Sequence, residues 1–312
     1  MEAPVLDRPP APPDPHGFPT PGRRAARAIE RGLRVTVVVL VGVLAVLYAM
    51  QARLIFPGSE TQGKPSAVVR PAPGCQLVGL VTAHDDKVVA LFGPAQLPDG
   101  NPHPEAGQRP TIVYFYGNAM CLNDAIFEFD HFRRLGYNVL IPEYVGYGMS
   151  GGKPGETGCR DTADAAFAHL QRRKDVDPRK IIAAGWSLGG AVAIDLASRK
   201  PLAGLIAFCT FTSMTDMSRR SFPYLPTSLL LRHRFDSLAR IGHVTCPILL
   251  GHGRRDEIVP IEMQDRLSAA ASHAPLMKFV VDDAGHNDFY STGKDQVFQA
   301  MVRFIDQVFE GH

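Results

Sequence analysis

The sequence predicts an α/β fold: a doubly wound, mostly parallel sheet with helices on both faces and a short lid, preceded by one transmembrane helix. Two patterns predict it. Short, uniformly apolar runs alternate with helical patterns over most of the chain, as is typical of parallel strands buried on both faces. Near the N-terminus, residues 35–52 form an apolar stretch without a charge. The predicted parts are a tail at 1–34, an anchor at 35–52 and a domain at 58–312.

The composition is that of a globular protein. Of the 312 residues, 45% are hydrophobic and 21% are charged, which excludes a fibrous or wholly disordered chain. The formal net charge is only +2, whereas a nucleic-acid-binding protein would carry a strong basic excess. The five cysteines are scattered without a CxxC pair, so the sequence predicts neither a disulfide framework nor a zinc module.

Residues 35–52 are the candidate membrane anchor. As a helix they would extend about 27 Å, close to the ~30 Å hydrocarbon core of a bilayer. A buried helix of a soluble core would normally carry a polar stripe, and this segment has none. A cleaved signal peptide would have a shorter apolar region and an A-x-A-like site, and Ala49 stands in a poor cleavage context. We therefore predict an uncleaved anchor.

The charges beside the anchor predict its orientation. Five arginines precede it and only Arg53 follows directly, so the N-terminus is expected in the cytoplasm and the domain outside it. The five are Arg23, Arg24, Arg27, Arg31 and Arg34. Residues 1–22 hold eight prolines, which disfavour helix and predict a disordered, extended tail over 1–34. A PxxP site for a protein partner is the alternative for this tail.

The domain at 58–312 is long enough for one large α/β unit. A turn at residues 84–87 joins the first two strands into a predicted hairpin, and six apolar runs predict further, buried strands. The predicted strands are Leu77–Ala83, Val88–Phe92, Thr111–Tyr116, Val139–Pro142, Ile181–Ala184, Leu205–Cys209, Ile248–Leu250 and Met277–Val281. The predicted helices are Asp124–Leu135, Thr162–Arg172, Leu188–Ser198, Ile261–Ala271 and Lys294–Phe309. Since ligands bind at the carboxyl ends of parallel strands, chemistry is expected just after them.

Ser187 is the candidate nucleophile. It is the serine of a G-x-S-x-G motif at residues 185–189, which follows the strand Ile181–Ala184 and opens a helical pattern. A sharp turn at this place strains the backbone and projects the serine hydroxyl above the sheet, and the glycines let strand and helix approach. The helix N-terminus favours developing negative charge. The alternative, a glycine-rich turn with a capping serine, is disfavoured by the strand–turn–helix context.

A serine needs a base, and the base needs an orienting acid. Asp256 follows the strand Ile248–Leu250 and is the predicted acid, with Glu257 as the competing assignment. His286 follows the last strand in a glycine-containing loop and is the predicted general acid and base. His252, which precedes Asp256, is interpreted as structural.

The chain resembles the α/β-hydrolases, in particular the small membrane-anchored hydrolases with an N-terminal signal anchor. The resemblance spans nearly all of residues 51–290. The stretches that carry it are Gln51–Pro57, Tyr116–Ala119, Tyr144–Ser150, Gly185–Gly190, Phe235–Leu238, Gly251–Pro260 and Gly285–Asp288. Their joint order is specific to the superfamily and much less specific to one substrate.

The resemblance also implies an oxyanion hole. One donor would be the backbone N–H of Leu188, directly after the nucleophile, and the other that of Asn118 or, alternatively, Ala119. Relatives usually have a histidine where this chain has Tyr116, whose hydroxyl either replaces that hydrogen bond or fills space. A second departure is Glu143, where relatives commonly carry aspartate and to which we assign no function from sequence.

The segment 210–246 is the predicted lid. Its apolar stretches, Phe222–Pro226 and Leu229–Leu231, suggest an acyl or alkyl pocket, although they would equally suit packing on the sheet. No HExxH, zinc spacing or phosphate-binding loop is found in the sequence, so no cofactor or metal is implied. The sequence thus predicts a serine hydrolase that acts on small-molecule or lipid-like esters or thioesters through an acyl-enzyme. The alternatives are a peptidase or amidase of the same fold, and a catalytically silent membrane scaffold.

Overall fold

The computed structural model describes residues 22–310. The chain divides into two compact units, Met1–Ala49 and Met50–His312. The first 21 residues of the predicted tail lie outside the described part of the chain, so the extended conformation expected there stays a prediction.

The N-terminal helix α1 comprises Arg23–Ile55. Its most apolar 18-residue window has a mean hydropathy of 2.4, and none of that window is buried in the protein. The helix is therefore long and apolar enough to cross a membrane. It begins well before Val35, so the expectation of a disordered tail up to residue 34 is corrected: residues 23–34 are helical. The reason is their content of alanine and arginine, which are good helix formers and prolong a helix already nucleated.

The domain is built on one sheet of eight strands in the order β1-β2-β4-β3-β5-β6-β7-β8. The strands are β1 Gln76–Val81, β2 Lys87–Gly93, β3 Thr111–Phe115, β4 Asn138–Pro142, β5 Ile181–Trp186, β6 Gly204–Phe208, β7 Ile248–Gly253 and β8 Leu276–Val281. β2 is antiparallel to both β1 and β4, and every other neighbouring pair is parallel. This confirms the predicted mostly parallel, doubly wound sheet and its N-terminal hairpin.

Nine further helices are described after α1. They are α2 Ile126–Arg134, α3 Glu156–Arg172, α4 Leu188–Ala197, α5 Met214–Ser221, α6 Thr227–Leu230, α7 Ser237–Ile241, α8 Glu262–Ala270, α9 Phe289–Thr292 and α10 Lys294–Glu310. The predicted long helices are all present, but α3 begins earlier than Thr162 because glycine and threonine in its first turns hide the helical period. The short helices α5, α6, α7 and α9 were not predicted, since so few turns give no readable periodicity.

The core lies along the middle of the sheet. All residues of β3, β4, β6 and β7 are buried, whereas the edge strand β8 is largely half-buried or exposed. β3 and β5 are parallel neighbours in the register Thr111 to Ile181 and Phe115 to Gly185. The loops that follow these two strands therefore emerge side by side at the carboxyl edge of the sheet, where ligands bind in open α/β folds.

Candidate active site

Ser187 sits in a strained turn between β5 and α4. Its backbone has φ 55° and ψ −119°, in a region that a non-glycine residue occupies at a cost of about 1–3 kcal/mol. Two contacts hold the turn: the Ser187 N–H donates to the carbonyl of Phe208 at 2.9 Å, and the Thr210 hydroxyl donates to the Ser187 carbonyl at 2.8 Å. The turn is thus fixed by the segment that ends β6 and follows it.

The glycines of the motif are required by close approach of strand and helix. A Cβ atom on Gly185 would lie 2.7 Å from the backbone nitrogen of Gly190 and overlap the Gly189 carbonyl. A Cβ atom on Gly189 would lie 2.8 Å from the carbonyl oxygen of Tyr116 and overlap that of Phe115. The first turn of α4 therefore packs directly on the backbone at the end of β3.

The structure brings Ser187, His286 and Asp256 together from three loops that are far apart in sequence. His286 Nε2 lies 2.9 Å from Ser187 Oγ, and His286 Nδ1 lies 2.7 Å from Asp256 Oδ2. Since the carboxylate accepts hydrogen bonds, the arrangement favours the tautomer with the proton on Nδ1 and a free lone pair on Nε2. In that tautomer the imidazole is set to take the proton of the serine hydroxyl.

Asp256 is held as a carboxylate by several donors. Its Oδ1 accepts hydrogen bonds from the backbone N–H groups of Ile258 at 3.0 Å and Val259 at 2.7 Å. Burial raises the pKa of Asp256, but the hydrogen bonds from His252 and His286 and the backbone donor Val259 outweigh it and lower the pKa to about 2. The carboxyl group is thus ionised at neutral pH although its side chain is fully buried.

The structure distinguishes between Asp256 and Glu257, the two candidate acids from the sequence. Asp256 is buried against His286, whereas Glu257 is exposed and makes no hydrogen bond or ion pair within residues 22–310. Of the two carboxylates, that of Asp256 is the one hydrogen-bonded to His286.

His252 is closer to the candidate site than its sequence position suggested. The ring is buried; its Nε2 lies 2.8 Å from the carbonyl oxygen of Val259 and 3.3 Å from Asp256 Oδ2. Both neighbours are acceptors, so Nε2 carries the proton and donates. Asp256 is therefore flanked by two imidazoles. The four-residue spacing between His252 and Asp256 is the sequence feature that could have indicated this contact.

Sequence analysis did not identify two further side chains at the site, those of Trp186 and Cys209. The ring of Trp186 packs on that of His286 with centroids 4.9 Å apart, and it fills the space beside Gly117, where a Cβ atom would overlap the indole. Cys209 lies beyond β6 with φ 47°. Its sulfur and ligand atoms of Asp256 and His286 lie within 4.8 Å of one another.

The group of Cys209, Asp256 and His286 is also the arrangement that a metal ion would need. Burial and the nearby Asp256 carboxylate raise the pKa of the Cys209 thiol, so the sulfur is protonated and a poor metal ligand. His286 and Asp256 are hydrogen-bonded to each other. His286 and Asp256 are therefore better arranged for proton transfer from Ser187 than for metal binding.

The loop after β3 is braced by a buried pair, Tyr116 and Glu143. The Tyr116 hydroxyl donates to Glu143 Oε1, which also accepts the N–H of Leu122 at 2.8 Å. The other carboxylate oxygen of Glu143 accepts the N–H of Met149 at 3.3 Å. In addition, the Tyr144 hydroxyl donates to the Tyr116 carbonyl at 2.9 Å. The Tyr116 hydroxyl therefore forms a hydrogen bond and does not merely fill space.

The expected oxyanion donors follow the neighbouring strands β3 and β5. Within residues 22–310, the backbone N–H groups of Leu188, Asn118 and Ala119 donate no hydrogen bond. Leu188 is the first residue of α4, whose N-terminal N–H groups have no partner inside the helix. The structure leaves Asn118 and Ala119 equally free as the second donor.

The lid segment exposes three large apolar side chains. Phe222, Tyr224 and Leu229 are 49%, 97% and 83% exposed, so they do not pack on the sheet. Phe222 and Tyr224 lie between α5 and α6, and Leu229 lies within α6. The alternative that these stretches pack on the sheet does not hold for these three residues.

Comparison with known sequences identifies related proteins. A family model described as the alpha/beta hydrolase family matches residues 114–242, which include the turn at Ser187 and the loop at Asn118. An uncharacterized Mycobacterium tuberculosis protein is 34% identical over 276 residues, covering 88% of this chain and 94% of the relative. The alpha/beta hydrolase domain-containing protein WAV2 of Arabidopsis thaliana is 30% identical over 219 residues, covering 64% of this chain and 70% of WAV2.

Solved structures share the fold at low sequence identity. A Pyrococcus furiosus esterase superposes with a TM-score of 0.61 at 19% identity, covering 77% of this chain and 96% of the esterase. A puromycin-hydrolyzing peptidase of Mycobacterium tuberculosis superposes with a TM-score of 0.58 at 18% identity, covering 78% of this chain and 40% of the peptidase. The sheet order, the family model and the sequence relatives agree: the chain belongs to the alpha/beta hydrolase family.

Proposed function

We propose that the protein is a membrane-anchored serine hydrolase that cleaves carboxylic ester or thioester bonds through an acyl-enzyme on Ser187. The observation that carries the proposal is the chain of contacts from Ser187 Oγ to His286 Nε2 at 2.9 Å and from His286 Nδ1 to Asp256 at 2.7 Å. A nucleophile, its base and an orienting acid in this geometry are the arrangement that acyl transfer requires.

The reaction begins when Ser187 Oγ attacks the carbonyl carbon of the substrate and its proton moves to His286 Nε2. The carbonyl oxygen becomes an oxyanion and accepts hydrogen bonds from the N–H groups of Leu188 and Asn118. The intermediate then collapses: the bond to the leaving alcohol or thiol breaks, and that group takes the proton from His286. The acyl group remains on Ser187.

Water completes the cycle. His286 takes a proton from the water as its oxygen attacks the acyl carbon, and it returns the proton to Ser187 Oγ when the carboxylic acid leaves. Asp256 stabilises the imidazolium in both steps without taking the proton, because its lowered pKa, about 2, keeps it ionised.

Substrates with an apolar chain fit this protein best. The helix α1 is apolar enough to lie in a bilayer, and the lid presents Phe222, Tyr224 and Leu229 to its surroundings. An anchored enzyme with such a lid meets amphiphilic esters at the membrane surface. The arginines that precede the apolar stretch support an orientation with the N-terminus in the cytoplasm and the domain on the other side of the membrane.

Labelling with a fluorophosphonate tests the activated serine. Membranes that contain the full-length protein are treated with the probe, and Ser187→Ala is compared with Ser66→Ala, a matched change at an exposed serine. Labelling that disappears only in Ser187→Ala supports the proposal. A folded wild-type protein without labelling would contradict it and favour a silent scaffold, and labelling retained in Ser187→Ala would show a different nucleophile.

A panel of esters, thioesters and amides of increasing acyl length then tests the bond type. We expect turnover of esters or thioesters that rises with chain length. Faster cleavage of the matched amides would replace the esterase assignment by an amidase or peptidase.

A further inference from the structure

The segment Gln51–Gly58, which we call the strap, comprises the last five residues of α1 and the three residues that follow it. It belongs to the same compact unit as the sheet. One side of it is buried: Gln51, Ile55, Phe56 and Gly58 are each less than 9% exposed, whereas Leu54 is 59% exposed. The buried side contacts two parts of the candidate active site.

The first contact is with the loop that holds the expected oxyanion donor. The side-chain amide of Asn118 donates to the carbonyl of Ile55 at 2.9 Å, and the Gly58 N–H donates to the carbonyl of Asn118 at 2.9 Å. The Tyr147 hydroxyl donates to the same carbonyl at 3.1 Å. Both the side chain and the carbonyl of Asn118 are therefore held, so this residue cannot rotate without breaking hydrogen bonds to the strap.

The second contact is with the lid. The Gln51 side chain bridges two backbone groups: its amide donates to the carbonyl of Leu230 at 3.3 Å, and its oxygen accepts the N–H of Arg232 at 2.9 Å. The fully buried ring of Phe56 meets the ring of His233 edge-on, with centroids 5.1 Å apart. The same eight-residue segment thus contacts the oxyanion loop and the lid.

We propose that the strap is a positioning element of the active site, which sets the Asn118 N–H for the oxyanion and fixes the lid beside it. This inference rests on the proposed function. Gln51, Phe56 and Gly58 are its positioning residues, and none of them touches the reacting atoms.

Gly58 offers the sharpest perturbation. A Cβ atom there would lie 2.5 Å from the Asn118 carbonyl oxygen and 2.6 Å from that of Met120, and it would overlap the Tyr147 ring. Backbone oxygens at such distances cannot yield by a side-chain rotation, so Gly58→Ala must shift the loop or the strap. Gly79 is the matched control, since a Cβ atom there meets nothing within 4 Å.

The experiment compares full-length wild type, Gly58→Ala and Gly79→Ala in vesicles. It measures kcat and KM for a soluble short-chain ester, and the inhibition constant of a trifluoromethyl ketone, which forms an oxyanion on the serine. Loss of one oxyanion donor lowers kcat by about 10²–10³. For Gly58→Ala we expect a fall of about that size, a parallel rise in the inhibition constant, and a KM within about twofold of wild type, whereas Gly79→Ala keeps all three values.

Equal kcat in folded Gly58→Ala and Gly79→Ala would overturn the inference, whereas an inactive wild type would instead count against the proposed function. If Gly58→Ala does not fold, the inference is tested instead by comparing Gln51→Ala with its control Leu54→Ala. Gln51→Ala removes the hydrogen bonds to the Leu230 carbonyl and the Arg232 N–H. Because a misplacement of 1 Å can cost about 10²-fold in rate, this partial loosening should lower kcat about tenfold or raise the inhibition constant as much. Truncation of the exposed Leu54 should have no effect. Identical kinetics of these two variants would also refute the positioning role.

Discussion

Replacing Tyr116 by phenylalanine removes one hydroxyl from the interior and leaves the ring in place. Tyr116 is fully buried, and its hydroxyl donates to Glu143 and accepts the N–H of Tyr144 at 3.3 Å. After the change, Glu143 Oε1 keeps only the N–H of Leu122 as a donor. The variant therefore tests whether this pair braces the oxyanion loop.

The expected effect follows from the charge of the acceptor. Hydrogen bonds to charged groups contribute about 1.5–3 kcal/mol each, against about 0.5–1.5 kcal/mol for neutral pairs. Burial already raises the pKa of Glu143, and the Tyr116 hydrogen bond opposes that rise. We expect Tyr116→Phe to lower the free energy of unfolding by about 2–3 kcal/mol and to raise the pKa of Glu143 further. The remaining donors still hold the loop, so kcat should fall less than the 10²–10³ of a lost oxyanion donor.

Urea unfolding of the detergent-solubilised full chain measures the stability, and ester hydrolysis measures kcat. Tyr114→Phe is the matched control, because its hydroxyl is equally buried but donates to a neutral partner, the Tyr290 hydroxyl, at 3.3 Å. The double variant with Glu143→Gln isolates the pairwise energy. If Tyr116→Phe proves no more destabilising than Tyr114→Phe, the hydroxyl has no bracing role and the reasoning fails.

Three further predictions concern the acid and the lid. Asp256→Asn should lower kcat by about 10⁴ through loss of the tautomer that His286 needs, whereas Glu257→Gln should match wild type; the reverse order would reassign the acid. The folded-state pKa of Asp256, about 2, lies below its ordinary 3.8, so its ionisation stabilises the fold above about pH 4, and this contribution is lost as the pH falls through 2. Thermal unfolding between pH 2 and 5 should therefore show a steeper loss of Tm in wild type than in Asp256→Asn, and parallel curves would exclude a depressed pKa. Replacing Tyr224 and Leu229 together by serine should raise KM for a vesicle-borne long-chain ester but not for a soluble short-chain one. If the variant has the wild-type KM for both substrates, these two side chains do not contribute to substrate capture.

The two departures from the family pattern are connected in space. The resemblance implies histidine and aspartate where this chain has Tyr116 and Glu143, and here the two side chains are hydrogen-bonded to each other. In this chain the pair connects the loop after β3 with the loop after β4.

Local patterns in the sequence were sufficient for the sheet and for the turn at Ser187. Uniformly apolar runs predict buried strands because a parallel strand is covered on both faces. The glycines around Ser187 predict a sharp turn because only they allow strand and helix to approach as Gly185 and Gly189 do. Such signals lie within a few residues of one another, so they are readable without the fold. The short helices α5, α6 and α7 lack such local signals. The first turn of α3 is held by hydrogen bonds from the N–H groups of Arg234 and Phe235 to the Glu156 carboxylate, which are not readable from the local sequence.

Only the tertiary structure decided which distant groups meet. The sequence placed Asp256 and Glu257 side by side, and their choice depends on which side of the turn faces His286, thirty residues away. Sequence analysis assigned no function to Glu143, whose partner Tyr116 lies in the loop after β3, and none to Gln51, whose partners are Leu230 and Arg232. The physical reason is that hydrogen bonds between loops depend on how the whole sheet aligns its strand ends, and this alignment is a property of the packed core rather than of any one segment.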